Sequence, residues 1–392
     1  MCGLVSLLTD KFILGRIILF KLIRLLFLSV VTTTFGFLTP SLRAQFVYVL
    51  ADTPQEQIAH VWAYQIDPTG SLTPVPGSPF GVTSSFSGAL AVDPKGRYLY
   101  VADTDDNVVW EFGVEANGAL TPRPIQYVFT DGIAPSSITI DPTGKFIYVV
   151  HLNVSILFNN GPPTIDAYSV GPKGKLTRVP GSPFLCGSAA GQPLIDQTSR
   201  HLYTANGISK NVTGFNIGTD GALTPIAGSP FGAGLAPLAT VMDPRGKFIY
   251  EFAYIPATLV NVVAVYGIAE DGVLIPVPGS PFSYAPGLFP FSSAVDPAAH
   301  FLYLANLNSA NISAYGIEAR GLLQQIQGSP FPTTDRPTII GVEPLRGFVY
   351  VESFYGSSIF GYKIGKNGSL TPVPNSPFVT GPESSAIAIK SP

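Results

Sequence analysis

Cysteine, charge and histidine are all scarce in this chain, and each shortage removes a class of explanation. There are two cysteines, Cys2 and Cys186, and any processing that removes the N-terminus leaves one, so a disulfide framework is excluded. Only 12% of the residues are charged and no run of lysine and arginine occurs. That rules out the electrostatic footprint of a nucleic-acid binder, whose affinity comes mainly from neutralised phosphates. The four histidines show no metal-ligand spacing, and neither a phosphate-binding glycine loop nor a nucleophile elbow is present. No metal and no cofactor is expected.

What the chain has in quantity is turn chemistry. Forty glycines and 37 prolines among 392 residues are too many for a helical protein and point to short strands joined by tight turns. At this length a core forms without covalent staples.

Near the N-terminus, Lys11, Arg16, Lys21 and Arg24 precede an apolar run from Leu25 to Leu38, followed by Leu42-Arg43-Ala44. This order reads as an export signal over residues 1–44, cleaved after Ala44. The run is short for a spanning helix, which needs roughly 20 residues, so an uncleaved membrane anchor is the lesser alternative. The chain is expected to be exported, periplasmic or extracellular, with one domain over residues 45–392.

Three internal ladders count the units of that domain. A Leu-Tyr-Val strand recurs around Tyr48, Tyr100, Tyr148, Tyr203, Tyr250, Tyr303 and Tyr350, after the first each time preceded by a turn such as Asp93-Pro94-Lys95-Gly96. An aromatic ladder follows at Tyr64, Phe112, Tyr168, Phe215, Tyr266, Tyr315 and Tyr362, with an aliphatic residue two positions beyond each. A period of two puts both side chains on one strand face, where they can pack on the next unit. The third ladder is Gly70, Gly118, Gly174, Gly221, Gly272, Gly321 and Gly368, usually opening Gly-x-Leu-Thr-Pro and ending in Gly-Ser-Pro-Phe. Its prolines suit an outer edge strand and blunt that edge against pairing with other chains, so a monomer is expected.

The fold class is therefore all-β, a seven-bladed β-propeller of four-stranded antiparallel blades. The first unit lacks an inner strand, and the segment Ser385-Ala386-Ile387-Ala388-Ile389 is an orphan at the other end. It is predicted to complete the first blade and close the ring.

The recurring Asp-Pro-x-Gly-x-x-Leu-Tyr-Val-Ala-Asn/Asp units, as at 93–103 and 296–306, resemble the YVTN-type propellers of the lactonase family, which includes the 6-phosphogluconolactonase type. The resemblance runs over residues 45–392 and implies the propeller fold and, in catalytic members, lactone ring opening. The His-rich and Arg-His loop motifs of those members do not occur here, and no catalytic residue carries over.

Candidate positions come from where the repeat is polar or broken. Asp103, Asn206 and Asn306 occupy equivalent loop positions as ligand-binding candidates or Asx turns. Asp335, Arg336 and Glu383 lie in loops between blades and are further ligand-binding candidates. His151 replaces the Asp/Asn ahead of a long loop reaching Pro163, while Glu251 and Glu352 stand where sister strands carry other residues, mostly apolar. These three are the catalytic candidates, each with a bland alternative in which the side chain simply reaches water. Two functions follow as expectations: a binding or interaction scaffold for a small polar ligand, carbohydrate or envelope protein, and a lactone hydrolase.

Overall fold

A computed structural model describes residues 45–390 apart from 54–57, 83–86, 153–161, 233, 256–259, 285–288, 354–355 and 383. The Asp-Pro-x-Gly turns form as their sequence requires. In the turn at Asp141, one carboxylate oxygen accepts the backbone N–H groups of Lys145 and Phe146, both at 2.7 Å, and the same pattern recurs at Asp243. Each turn joins an inner strand to a Leu-Tyr-Val strand.

The strands assemble into seven separate antiparallel sheets. From inner to outer strand, blade 1 is Ser384–Lys390, Gln45–Thr53, Ile58–Ile66 and Leu72–Pro74; blade 2 is Ser87–Val92, Tyr98–Asp103, Val108–Val114 and Leu120–Phe129. Blade 3 is Pro135–Ile140, Phe146–His151, Thr164–Val170 and Leu176–Arg178; blade 4 is Leu194–Ile195, His201–Asn206, Asn211–Ile217 and Leu223–Pro225. Blade 5 is Pro237–Met242, Phe248–Ile255, Val260–Ile268 and Leu274–Pro276; blade 6 is Pro290–Val295, Phe301–Asn306, Asn311–Ile317 and Leu323–Gln325. Blade 7 is Pro337–Val342, Phe348–Ser353, Ser358–Ile364 and Leu370–Pro372. The C-terminal strand pairs antiparallel with the first, Tyr48 opposite Ala388 and Phe46 opposite Lys390, so the predicted closure is present.

Seven apolar clusters fill the seven seams between blades. Every member of the aromatic ladder lies in the seam with the preceding blade, as Phe215 does beside Tyr148. The Leu-Tyr-Val tyrosines face the following blade, and six of them donate their hydroxyl to the ladder glycine carbonyl there. Tyr48 reaches Gly118, Tyr100 Gly174, Tyr148 Gly221, Tyr203 Gly272, Tyr303 Gly368 and Tyr350 Gly70, at 2.6–3.0 Å. These glycines have φ between +82° and +90°, and a ring from the neighbouring blade sits on each. A Cβ on Gly174 would lie 2.6 Å from the Tyr98 ring. His201 fills this ring position in blade 4, lying against Gly272 with its Nδ1 2.7 Å from Asp196 Oδ2.

The recurring serine of Gly-Ser-Pro-Phe also has a fixed task. Its hydroxyl accepts a backbone N–H from the third strand, Ser78 from Ala63 at 2.8 Å and Ser280 from Val265 at 2.8 Å, replacing a partner the turning outer segment cannot supply. Six blades carry this turn, and blade 2 does not.

Two substitutions test the interlock by chemical denaturation. Tyr100→Phe strands the buried Gly174 carbonyl and should cost about 1–3 kcal/mol. Gly174→Ala combines positive φ with ring overlap and should cost more than about 1 kcal/mol; a neutral result at both positions would contradict this packing.

Candidate functional site

Inner strands begin where the loops between blades end, so their first residues ring the channel mouth. All seven blades contribute to a cavity of about 390 Å³ there, through Gly88, Ser136, Gln192, Leu238, Phe291, Ile339 and Ser385 among others. Leu238 and Phe291 are exposed at 37% and 44%. Among the described residues lining this cavity none is ionisable. Its described walls offer hydroxyl, amide and apolar surface, which suits an uncharged polar molecule.

The three catalytic candidates stand elsewhere, in three different seams. His151 is fully buried in the seam between blades 2 and 3, with Nε2 3.8 Å from Asp166 Oδ2. Asp166 Oδ2 also accepts the backbone N–H of Asp131 at 2.8 Å and the Tyr168 hydroxyl at 3.1 Å. Gly132 packs directly on the imidazole, and Arg178 pairs with Asp131 at the rim. Burial holds His151 below its ordinary pKa despite the pull of Asp166.

Glu251 is buried between blades 4 and 5, accepting the Tyr266 hydroxyl at 3.2 Å, and desolvation pushes its pKa up to about 7. Glu352 is fully buried on the face toward blade 1, neither carboxylate oxygen meets a partner among the described residues, and burial raises its pKa well above the ordinary range. The alternative in which these three groups reach water is overturned. Strand alternation turns each of them into a seam instead of outward.

The equivalent loop positions act within their own blades. Asp103 accepts the Trp110 indole N–H at 3.0 Å and, three residues on, the Asp106 backbone N–H at 3.1 Å. Asn206 donates to Asn211 Oδ1 and Thr213 Oγ1, and Asn306 to Asn311 Oδ1 and Ser313 Oγ, all at 2.8 Å. Asp335 is half-buried, its carboxylate accepting the Arg336 backbone N–H at 2.7 Å, and Arg336 is exposed. Glu383 and most of the loop after His151 lie outside the described residues. Cys186 packs in the seam between blades 3 and 4, and burial lifts its thiol pKa to about 12, far from that of a nucleophile. Among the described residues no cluster of three or more His, Cys, Asp or Glu is placed to hold a metal.

Sequence reasoning missed the partners on the third strand. Asp166, Trp110, Thr213 and Ser313 all stand two residues before the aromatic ladder. A polar group at that spacing shares the buried face with the aromatic, and this was the available signal.

Fold and channel together define a seven-bladed β-propeller. Residues 43–157 match the family described as "Lactonase, 7-bladed beta-propeller", in line with the resemblance read from the repeats. Similar solved structures include a Bacteroides fragilis protein provisionally named 6-phosphogluconolactonase, with 17% identity, coverage of 90% of this chain and 99% of the other, and TM-score 0.73. A protein from Lactobacillus plantarum gives 17% identity, 88% and 99% coverage and TM-score 0.69. A periplasmic gluconolactonase of Pseudomonas aeruginosa gives 15% identity, 89% and 100% coverage and TM-score 0.68. At such identities the likeness carries the fold. No curated relative matches the chain.

The burial of Glu251 has a pH consequence. Its folded pKa, about 7, lies above the ordinary 4.5, so its contribution to stability is complete below about 4.5 and is lost as pH rises through 7. Between pH 4.5 and 8 the native protein should lose roughly 3 kcal/mol relative to Glu251→Gln, measured by denaturant titration at each pH. Parallel profiles for the two proteins would contradict the burial.

Proposed function

We propose that this chain is an exported binding or interaction propeller that takes a small uncharged polar ligand, such as a neutral sugar, at the channel mouth. The observation that carries the reading is the mouth cavity itself, walled by residues of all seven blades, among them serines, a glutamine and apolar side chains, with no titratable group among its described residues. Hydroxyl and amide groups hydrogen-bond sugar hydroxyls, and Phe291 offers a face for the apolar side of the ring. Hydrolysis of a lactone, by contrast, needs a positioned acid or base within about 3 Å of the reacting atoms.

Export is part of the proposal. The basic and apolar order of residues 1–44 supports it, and so does the similarity to a protein named as periplasmic. Expression with the complete N-terminus should yield a mature protein beginning at Gln45 outside the cytoplasm, read by intact mass. Recovery of the uncleaved chain in the cytosol would refute export.

A second reading, a lactone hydrolase of the 6-phosphogluconolactonase type, is favoured by the lactonase-family match and by the His151–Asp166 pair. His151 would be the base and Asp166 its orienting partner, with Arg178 and Asp131 at the rim. Both side chains of the pair are fully buried, so a substrate would have to displace the Asp131–Gly132 segment that covers them.

One set of measurements separates the two. Neutral glycans and sugar lactones are titrated against the purified protein by calorimetry, with lactone opening followed by pH-stat. The binding reading expects a saturable neutral ligand, weakened about tenfold by Phe291→Ala or Gln192→Ala, and no turnover above the spontaneous rate. Turnover abolished by His151→Ala in a folded variant would establish the hydrolase instead.

A further inference from the structure

Blade 2 departs from its six sisters at the outer edge. In blade 1 the outer segment turns through Ser78-Pro79 and sends Phe80 inward opposite Val61. Blade 2 has no such turn. Its outer strand spans Leu120 to Phe129 with a shift of register between Phe112 and Trp110, and Val128 takes the inward position opposite Val109. Alternation then places Tyr127 opposite Trp110 and Phe129 opposite Val108, on the other face.

The result is an aromatic-walled cavity of about 330 Å³, bounded by Trp110, Tyr127, Phe129, Val108 and Asp106. Small-molecule sites run from roughly 300 to 1,000 Å³. Phe129 is 68% exposed and Tyr127 41%. The Trp110 and Tyr127 rings stand 5.1 Å apart at 59°, and Tyr127 and Phe129 5.4 Å apart at 84°. Rings set so steeply share no flat platform for a sugar and instead form walls around a volume.

The charge at this cavity is negative. Asp106 lines it, Asp105 adjoins in the same turn, and the Asp103 carboxylate sits behind the Trp110 indole, accepting its N–H. Partial desolvation, together with repulsion from Asp103 and Asp105, raises the Asp106 carboxyl pKa, which a bound cation would relieve. Ring faces and carboxylates attract the same kind of partner, a weakly hydrated cation.

We propose that the Trp110–Tyr127–Phe129 cavity is a binding site for a small solute carrying a quaternary ammonium group, separate from the channel mouth. The trimethylammonium head sits among the three rings, and Asp106 faces its charge. This site does not depend on the function proposed for the channel.

The test is calorimetric titration of the purified protein with choline and with 3,3-dimethyl-1-butanol, its neutral isostere. Choline should bind saturably, with the isostere about tenfold weaker. Phe129→Leu keeps apolar surface but removes a π face, and Asp106→Asn removes charge alone; both positions are solvent-facing, and each variant should weaken choline severalfold with an unchanged melting temperature. Equal affinity for choline and the isostere, binding of neither, unchanged affinity in both variants, or retention on phosphatidylcholine vesicles without binding of free choline would overturn the proposal.

Discussion

The contact on which this ring depends is the hydrogen bond from a buried tyrosine hydroxyl in one blade to a glycine carbonyl in the next. Six of the seven seams carry it. It imposes three requirements at once: a tyrosine in the second strand, a glycine at positive φ between the third and outer strands, and a ring from the neighbouring blade lying where a Cβ would be. At the seam where Tyr250 faces blade 6 the hydroxyl meets no partner among the described residues, although the apolar cluster around it is complete. Packing holds each seam, and the tyrosine fixes its register.

A scaffold locked in this way frees other positions for chemistry. Repeated residues are committed to turns, seams and edges, so any function has to use what does not repeat. The mouth cavity draws residues from every blade, among them the dissimilar Gln192, Leu238, Phe291 and Ile339. Blade 2 exposes its aromatics because it lacks the turn that buries a phenylalanine elsewhere. Ionisable groups that do interrupt the repeat, Glu251, Glu352 and His151, ended up inside seams, where desolvation favours their neutral forms.

Most of the architecture was legible because it is written seven times. Blade number, strand order, the hairpin turns, the outer prolines and the closing strand all follow from spacing and turn chemistry. The sites were far less legible. A lone glutamate in a strand announces that a rule is broken, but the face it takes depends on register, and Glu251 and Glu352 are one ladder position out of phase and turn toward opposite neighbours. The channel residues carry no common identity from blade to blade, so comparison of repeats is blind to them. The aromatic cavity on Trp110 escaped notice because its partners Tyr127 and Phe129 lie in the one outer strand that lacks the Ser-Pro turn.

Ring closure is the claim beneath all of this, since channel and seams exist only if the last strand is an integral part of the first blade. Native-state hydrogen exchange reads it directly. The account predicts that the amides of Ser384–Lys390 that pair with Gln45–Thr53 are protected to the same degree as the central strands of blade 1. Exchange at those amides orders of magnitude faster than in the rest of the blade would mean an open ring, and would contradict it.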